Sequence, residues 1–277
     1  MIETHELTKH YSKTLAVDHL TLKVAAGELF GLLGPNGAGK TTTIKILTTL
    51  TKPTSGWARI NGFDVVEHPL EVKELISVCP QEINVDRELT AYENLLVFGK
   101  LYGLVDLKTR IAEALAFGEL TERAQAPVMT FSQGLQRRLI IARAFLSSPQ
   151  VLFLDEPTVG LDPQVRRQVW DMIRRLKTTG VTVMLTTHYI EEAEALCDRV
   201  GILSQGRLIA LDTPQALNEQ VGGYVIESLD QGRKKYLLVK DREEAYARAR
   251  AEAQGVIIRE TNLEDVFIKL TGERLAK

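Results

Sequence analysis

The chain has 277 residues, 44% of them hydrophobic and 25% charged, a composition that excludes a collagen, a disordered tail and a disulfide scaffold. At roughly 150 residues per domain this length makes one to two domains and buries a core without metal or disulfide support. With 34 Lys and Arg against 36 Asp and Glu the net charge is −2, so nothing global draws the chain to nucleic acid or anionic lipid.

The first residues, Met1-Ile2-Glu3-Thr4-His5-Glu6, are acidic where a secretory leader would be basic, which argues against export of the chain. A buried strand is expected over 28–33, running straight into Gly34-Pro35-Asn36-Gly37-Ala38-Gly39-Lys40-Thr41. A second strand over 76–79 leads to a stretch, 82–135, that lacks β-branched runs. Helices over 91–101 and 108–117 make it an all-helical insertion. A helix over 135–145 and a strand over 151–154 follow. Asp162 and Pro163 then cap and open a helix whose apolar face is Val165, Val169, Met172, Ile173 and Leu176. A strand over 181–185 completes an α/β core that extends to about residue 215.

After Thr213-Pro214 the texture changes. Strands over 224–229, 236–239 and 256–258, a charged helix over 242–254 and an apolar stripe of Leu263, Val266, Phe267 and Leu270 predict a small α+β domain over 216–277, with Glu264, Asp265 and Lys269 off the stripe. The longest charge-free stretches, 124–136 and 178–190, fall short of the about 18 residues of a membrane span, so none is expected. Cys79 and Cys197 form no C-x-x-C pair and read as reduced, buried side chains.

Two stretches carry chemistry. Gly34 to Thr41 matches G-x-x-x-x-G-K-[ST] in its required setting of strand, loop and helix. Gly34, Gly37 and Gly39 let the backbone curl so that successive N–H groups point at phosphates, and the following helix adds its positive end. Lys40 is expected on the β- and γ-phosphates and the Thr41 hydroxyl on Mg²⁺, with Pro35, Asn36, Ala38 and Thr42 completing the cradle. The second stretch is Val151-Leu152-Phe153-Leu154-Asp155-Glu156-Pro157. Asp155 suits a metal ligand and Glu156 a base that polarises an attacking water. An apolar run ending in acids can also be a strand meeting its solvated loop, but the complete phosphate loop upstream favours the functional reading.

With these residues in view, residues 1 to about 215 resemble the ATP-binding subunits of ABC transporters. The family's signature, near L-S-G-G-Q, is represented by Phe131-Ser132-Gln133-Gly134-Leu135-Gln136, in which Gln133 replaces a glycine and Leu135 a glutamine. The resemblance implies that Ser132 and Gly134 serve the γ-phosphate held by a second subunit. Taken alone, those residues read rather as a cap before the helix over 135–145. It further implies that Gln81 approaches the metal and the attacking water, that His188 contacts the γ-phosphate, that Gly160-Leu161-Asp162 crosses a dimer interface and that Tyr11 stacks on adenine. The catalytic set is then Glu156, His188 and Gln81. The tail from Asn262 to Gly272 resembles the end of the daunorubicin-resistance type of exporter ATPase.

The resemblance implies a P-loop ABC ATPase core, α/β, with a helical subdomain at 82–135 and a small C-terminal α+β domain. ATP and Mg²⁺ are the implied cofactors, and the partners are a second copy or a homologous ATPase and a separate transmembrane permease. It places the chain on the cytoplasmic face of the membrane, in drug or small-molecule efflux, with no nucleic acid. A soluble ABC-type ATPase acting on nucleic acid or ribosomes is the alternative, but it would carry two ATPase halves or a long coiled coil between the phosphate motifs. A GTPase switch would want N-K-x-D, and no Asn here precedes Lys.

Overall fold

The computed structural model describes residues 1–230, 233–250 and 256–272. The chain begins with β1 (Ile2–Tyr11), β2 (Thr14–Val24) and β3 (Leu29–Leu33), then α1 (Lys40–Leu47), β4 (Ser55–Ile60), β5 (Phe63–Asp64), α2 (Pro69–Leu75) and β6 (Ile76–Cys79). Three helices follow, α3 (Ala91–Leu101), α4 (Leu107–Phe117) and α5 (Gln133–Phe145). The core resumes with β7 (Val151–Asp155), α6 (Pro163–Thr178), β8 (Thr182–Thr187), α7 (Ile190–Leu196), β9 (Arg199–Ser204) and β10 (Arg207–Asp212). The tail holds α8 (Pro214–Val221), β11 (Tyr224–Asp230), β12 (Arg233–Val239), α9 (Arg242–Ala249), β13 (Ile257–Glu260) and α10 (Leu263–Thr271).

The central sheet has the order β10-β9-β3-β8-β7-β6 and is parallel except for β10. Strands β3, β7 and β8 are buried along their whole length because both faces are covered. Side chains alternate across each strand. Phe30, Leu32, Val151, Phe153 and Met184 therefore face the core beneath the antiparallel sheet β2-β1-β4-β5, and Leu29, Leu33, Leu152, Leu154, Val183 and Leu185 face the core beneath the helices. The parallel strands all end at one edge, where an open α/β sheet binds its ligand.

The expected strands over 28–33, 76–79, 151–154 and 181–185 are present, the last reaching Thr187. The helix expected from 135 begins two residues earlier, at Gln133. In the helical insertion a capping box opens α3: Thr90 Oγ1 accepts from the Glu93 N–H at 3.1 Å, and Glu93 accepts from the Thr90 N–H at 2.8 Å.

One expectation for the tail changes. Leu263, Val266 and Phe267 are buried and join the main core with Ala193, Leu196, Leu217 and Val221, but Leu270 is 48% exposed. Asp265, although off the stripe, is buried as well. It completes a capping box with Asn262 and takes both terminal nitrogens of Arg259 at 2.6 and 2.8 Å, which offsets its desolvation. Of the helix expected over 242–254, the described part is Arg242–Ala249; residues 251–255 lie outside the described residues. Strands β11 to β13 and α9 share a small core of Ile226, Val239 and Ala245. Both cysteines are free and buried, and burial pushes both thiols up. Among the described residues no helix is long and apolar enough to cross a membrane.

Candidate active site

The loop after β3 is pinned on several sides by backbone. The Gly34 N–H donates to the Thr187 carbonyl at 3.2 Å and the Gly206 N–H to the Ala38 carbonyl at 3.1 Å. A Cβ on Gly34 would lie 2.4 Å from the Leu203 carbonyl oxygen, and one on Gly39 2.4 Å from that of Ala16. Gly39 also has φ of 105°, which only glycine adopts without strain. Helix α1 starts at Lys40 with no side-chain cap, so its first N–H groups are free to bind an anion.

Six side chains from the ends of β3, β7 and β8 meet beside this loop. The Lys40 Nζ donates to the carbonyls of Gly34 at 2.7 Å and Pro35 at 3.0 Å and lies 3.2 Å from Glu156 Oε1. The other carboxylate oxygen, Glu156 Oε2, is 2.9 Å from His188 Nδ1. Lys40 and Glu156 are almost wholly buried, so each compensates the other's charge where water cannot. Below them, Thr41 Oγ1 donates to Asp155 Oδ1 at 3.3 Å, and Thr186 Oγ1 donates to the same oxygen at 2.5 Å. A threonine hydroxyl beside a carboxylate is a hard oxygen donor set that suits Mg²⁺.

An open cavity of about 460 Å³ lies here, lined by Asn36, Gly37, Gly39, Lys40, Thr41 and Thr42, by Gln81 and Glu156 opposite, and by Thr14 and Ala16 of β2. Tyr11, Ser132, Gly134 and Asp162 are not among its lining residues. Tyr11 ends β1, 43% exposed, with the Lys9 ammonium 4.9 Å from its ring centroid. Ser132 is the N-cap of α5, accepting from the Leu135 N–H at 3.4 Å, and Asp162 is the N-cap of α6, accepting from Gln164 and Val165. Gly134 is buried in the first turn of α5, where a Cβ would lie 2.3 Å from Val165 Cγ1; it lets α5 approach α6.

Two residues absent from the sequence reading hold the site together. Arg137 on α5, 2% exposed, donates to the carbonyls of Pro80 at 2.7 Å and Gln81 at 2.6 Å, tying the helix after Ser132 to the segment that carries Gln81. Thr186 receives the Glu156 N–H on both its carbonyl and its hydroxyl at 3.1 Å, besides holding Asp155. An arginine amid the apolar residues of α5 was the available signal for the first; a threonine ending a buried strand gave none.

The profile of the family described as ABC transporter matches residues 17–159. The chain is 43% identical to the linearmycin resistance ATP-binding protein LnrL of Bacillus subtilis (strain 168), with 83% of this chain and 74% of that protein covered. It is 39% identical to the Nod factor export ATP-binding protein I of Paraburkholderia xenovorans (strain LB400), with 99% and 98% covered. Among solved structures, an ATP-binding subunit of an ABC transporter superposes with a TM-score of 0.71 at 31% identity, over 79% of this chain and 92% of that one. A dimeric ATP-binding cassette in a post-hydrolysis state bound to ADP and Pi superposes with a TM-score of 0.69 at 26% identity, over 77% and 98%. The chain belongs to the ABC transporter family, as one of its ATP-binding, ATP-hydrolysing subunits.

Proposed function

We propose that two copies of this chain hydrolyse ATP at shared sites and so drive export of a small molecule through a separate transmembrane permease. The observation that carries the reading is the buried line from Lys40 through Glu156 to His188 above the phosphate loop. Loop N–H groups and Lys40 bind the β- and γ-phosphates. Phosphate oxygens then compete with Glu156 for Lys40, which releases Oε1 to accept a proton from the attacking water. His188, on the other oxygen of Glu156, orients that carboxylate and can reach the γ-phosphate. Thr41, Asp155 and Gln81 would hold Mg²⁺, which when bound neutralises charge developing on the phosphates.

Tyr11, exposed at the end of β1, supplies a face for adenine. Ser132, Gly134 and Asp162 stand outside the cavity of their own chain, which supports their service to the site of a head-to-tail partner. Residues 1–215 form the ATPase domain, with the helical subdomain at 82–135, and residues 216–277 an accessory domain. The names of the relatives, one for linearmycin resistance and others for Nod factor export, support an efflux role for this chain at the cytoplasmic face of a membrane. The daunorubicin-resistance branch is a finer placement suggested by the tail.

Glu156→Gln tests the reading. ATP affinity should stay within about threefold, turnover should fall by about 10² to 10⁴, and ATP-bound pairs should accumulate in size-exclusion chromatography. Turnover at the wild-type rate would remove Glu156 from the mechanism.

A further inference from the structure

Behind the Glu156–His188 pair lies a second carboxylate that no motif covers. Glu192 sits on α7, four residues after His188, with no exposed surface. Its Oε1 accepts from Thr158 Oγ1 at 2.7 Å and from Trp170 Nε1 at 3.0 Å. Thr158 is itself fully buried, two residues past Glu156, in the turn closed by Val159 N–H to the Glu156 carbonyl and Leu161 N–H to the Thr158 carbonyl. Trp170 lies on α6, the helix that Asp162 caps. One oxygen therefore ties three segments: the turn after Glu156, helix α6 and the helix after His188. A parallel tie stacks the Arg166 guanidinium of α6 on Tyr189 at 4.1 Å, next to His188.

We infer that Glu192 is a positioning residue for hydrolysis, holding the turn from Glu156 to Asp162 in fixed relation to His188. Across the front of this gap Glu156 and His188 make only their own 2.9 Å contact. The clamp at the back sets how far the two can separate and where Asp162 stands. A buried carboxylate is a poor choice for stability alone, since an apolar side chain of similar volume would avoid the desolvation. Burial pushes the Glu192 carboxyl up, opposed by the hydrogen bonds from Thr158 and Trp170 and by the charge of Arg166. What the carboxylate provides is directional: two hydrogen bonds that fix a turn and a helix at a chosen separation.

The inference rests on the proposed roles of Glu156 and His188, and its test separates the two. In the full-length chain, Glu192→Ala should lower kcat about tenfold or more, because small displacements of reacting groups are costly, while Mg-ATP affinity by equilibrium dialysis stays within about threefold. Glu192→Gln keeps an acceptor oxygen for Thr158 and Trp170 and should retain kcat within about threefold. Thr158→Val, nearly isosteric, should lower kcat without changing affinity, and it carries the test if Glu192→Ala fails to fold. The double variant should be no slower than Glu192→Ala, since Thr158→Val removes a contact that Glu192→Ala already removes. Wild-type kcat in Glu192→Ala or in Thr158→Val, an equal loss in Glu192→Gln, or additive losses in the double variant would overturn the inference. If Glu156→Gln instead hydrolyses ATP normally, it is the role of Glu156 that fails.

Discussion

Glu156 holds a φ of 47°, a left-handed conformation that costs a non-glycine residue roughly 1 to 2 kcal/mol. Its N–H bonds to Thr186 keep it there, which turns the side chain back toward Lys40 and His188. Glu192 lends itself to a pH experiment. Its carboxyl is raised in the folded protein, so between the ordinary carboxylate value and the raised one the native state binds more protons than the unfolded chain. Stability contributed at this site is therefore lost as pH rises through that window. Glu192→Gln cannot ionise, so its urea midpoint should gain on the wild type as pH rises and lose that advantage below about 4.3, the ordinary glutamate value. A difference that stays flat with pH would contradict the raised carboxyl. At this scale the sequence was informative where chemistry needs a fixed spacing: Lys40, Thr41, Glu156 and Gln81 line one cavity, and Asp155 adjoins it through Thr41. Arg137, Thr186 and Glu192 act through backbone carbonyls and neighbouring hydroxyls, contacts that only the folded chain brings together.

Among the elements, α10 gives the sharpest contrast. Phe267 is fully buried in the main core while Leu270, three residues on, is 48% exposed. Phe267→Ala should destabilise the whole protein by about 3 to 5 kcal/mol, and Leu270→Ala by less than about 0.5 kcal/mol. Urea unfolding followed by circular dichroism reads both, and a large effect at Leu270 would mean that the stripe includes it after all. The same contrast shows why parts of the fold were legible. Buried parallel strands such as β3 and β7 are continuous apolar runs, and α3 announces itself through Thr90 and Glu93. In contrast, β1 and β2 are broken by register shifts, with Glu6 and His19 at φ of 50°, so the alternation that marks a strand is interrupted. The hairpin β9–β10 turns on Gln205 and Gly206, both at positive φ, a two-residue signal weaker than Asn-Gly.

At the scale of the whole molecule, one chain supplies half of what the proposed reaction needs. Asn36, Gly37 and Gly39 of the phosphate loop line one cavity with Lys40 and Glu156, and His188 adjoins it through its contact with Glu156, whereas Ser132 caps a helix outside it. In the proposed two-fold pair, arranged head to tail, each Ser132 would face the other's phosphate loop. Gly134 is a poor probe of that arrangement, because any side chain there collides with Val165 within its own chain. Ser132 is exposed and avoids this difficulty. The decisive measurement therefore mixes two inactive full-length variants, Lys40→Ala and Ser132→Arg, in equal amounts and records ATP hydrolysis. In the mixed pairs one site combines both defects and the other combines neither. Half the pairs are mixed, so the mixture should regain about a quarter of wild-type activity. A mixture as inactive as its components, or hydrolysis by a protein that remains monomeric at saturating ATP, would contradict a site shared between two copies.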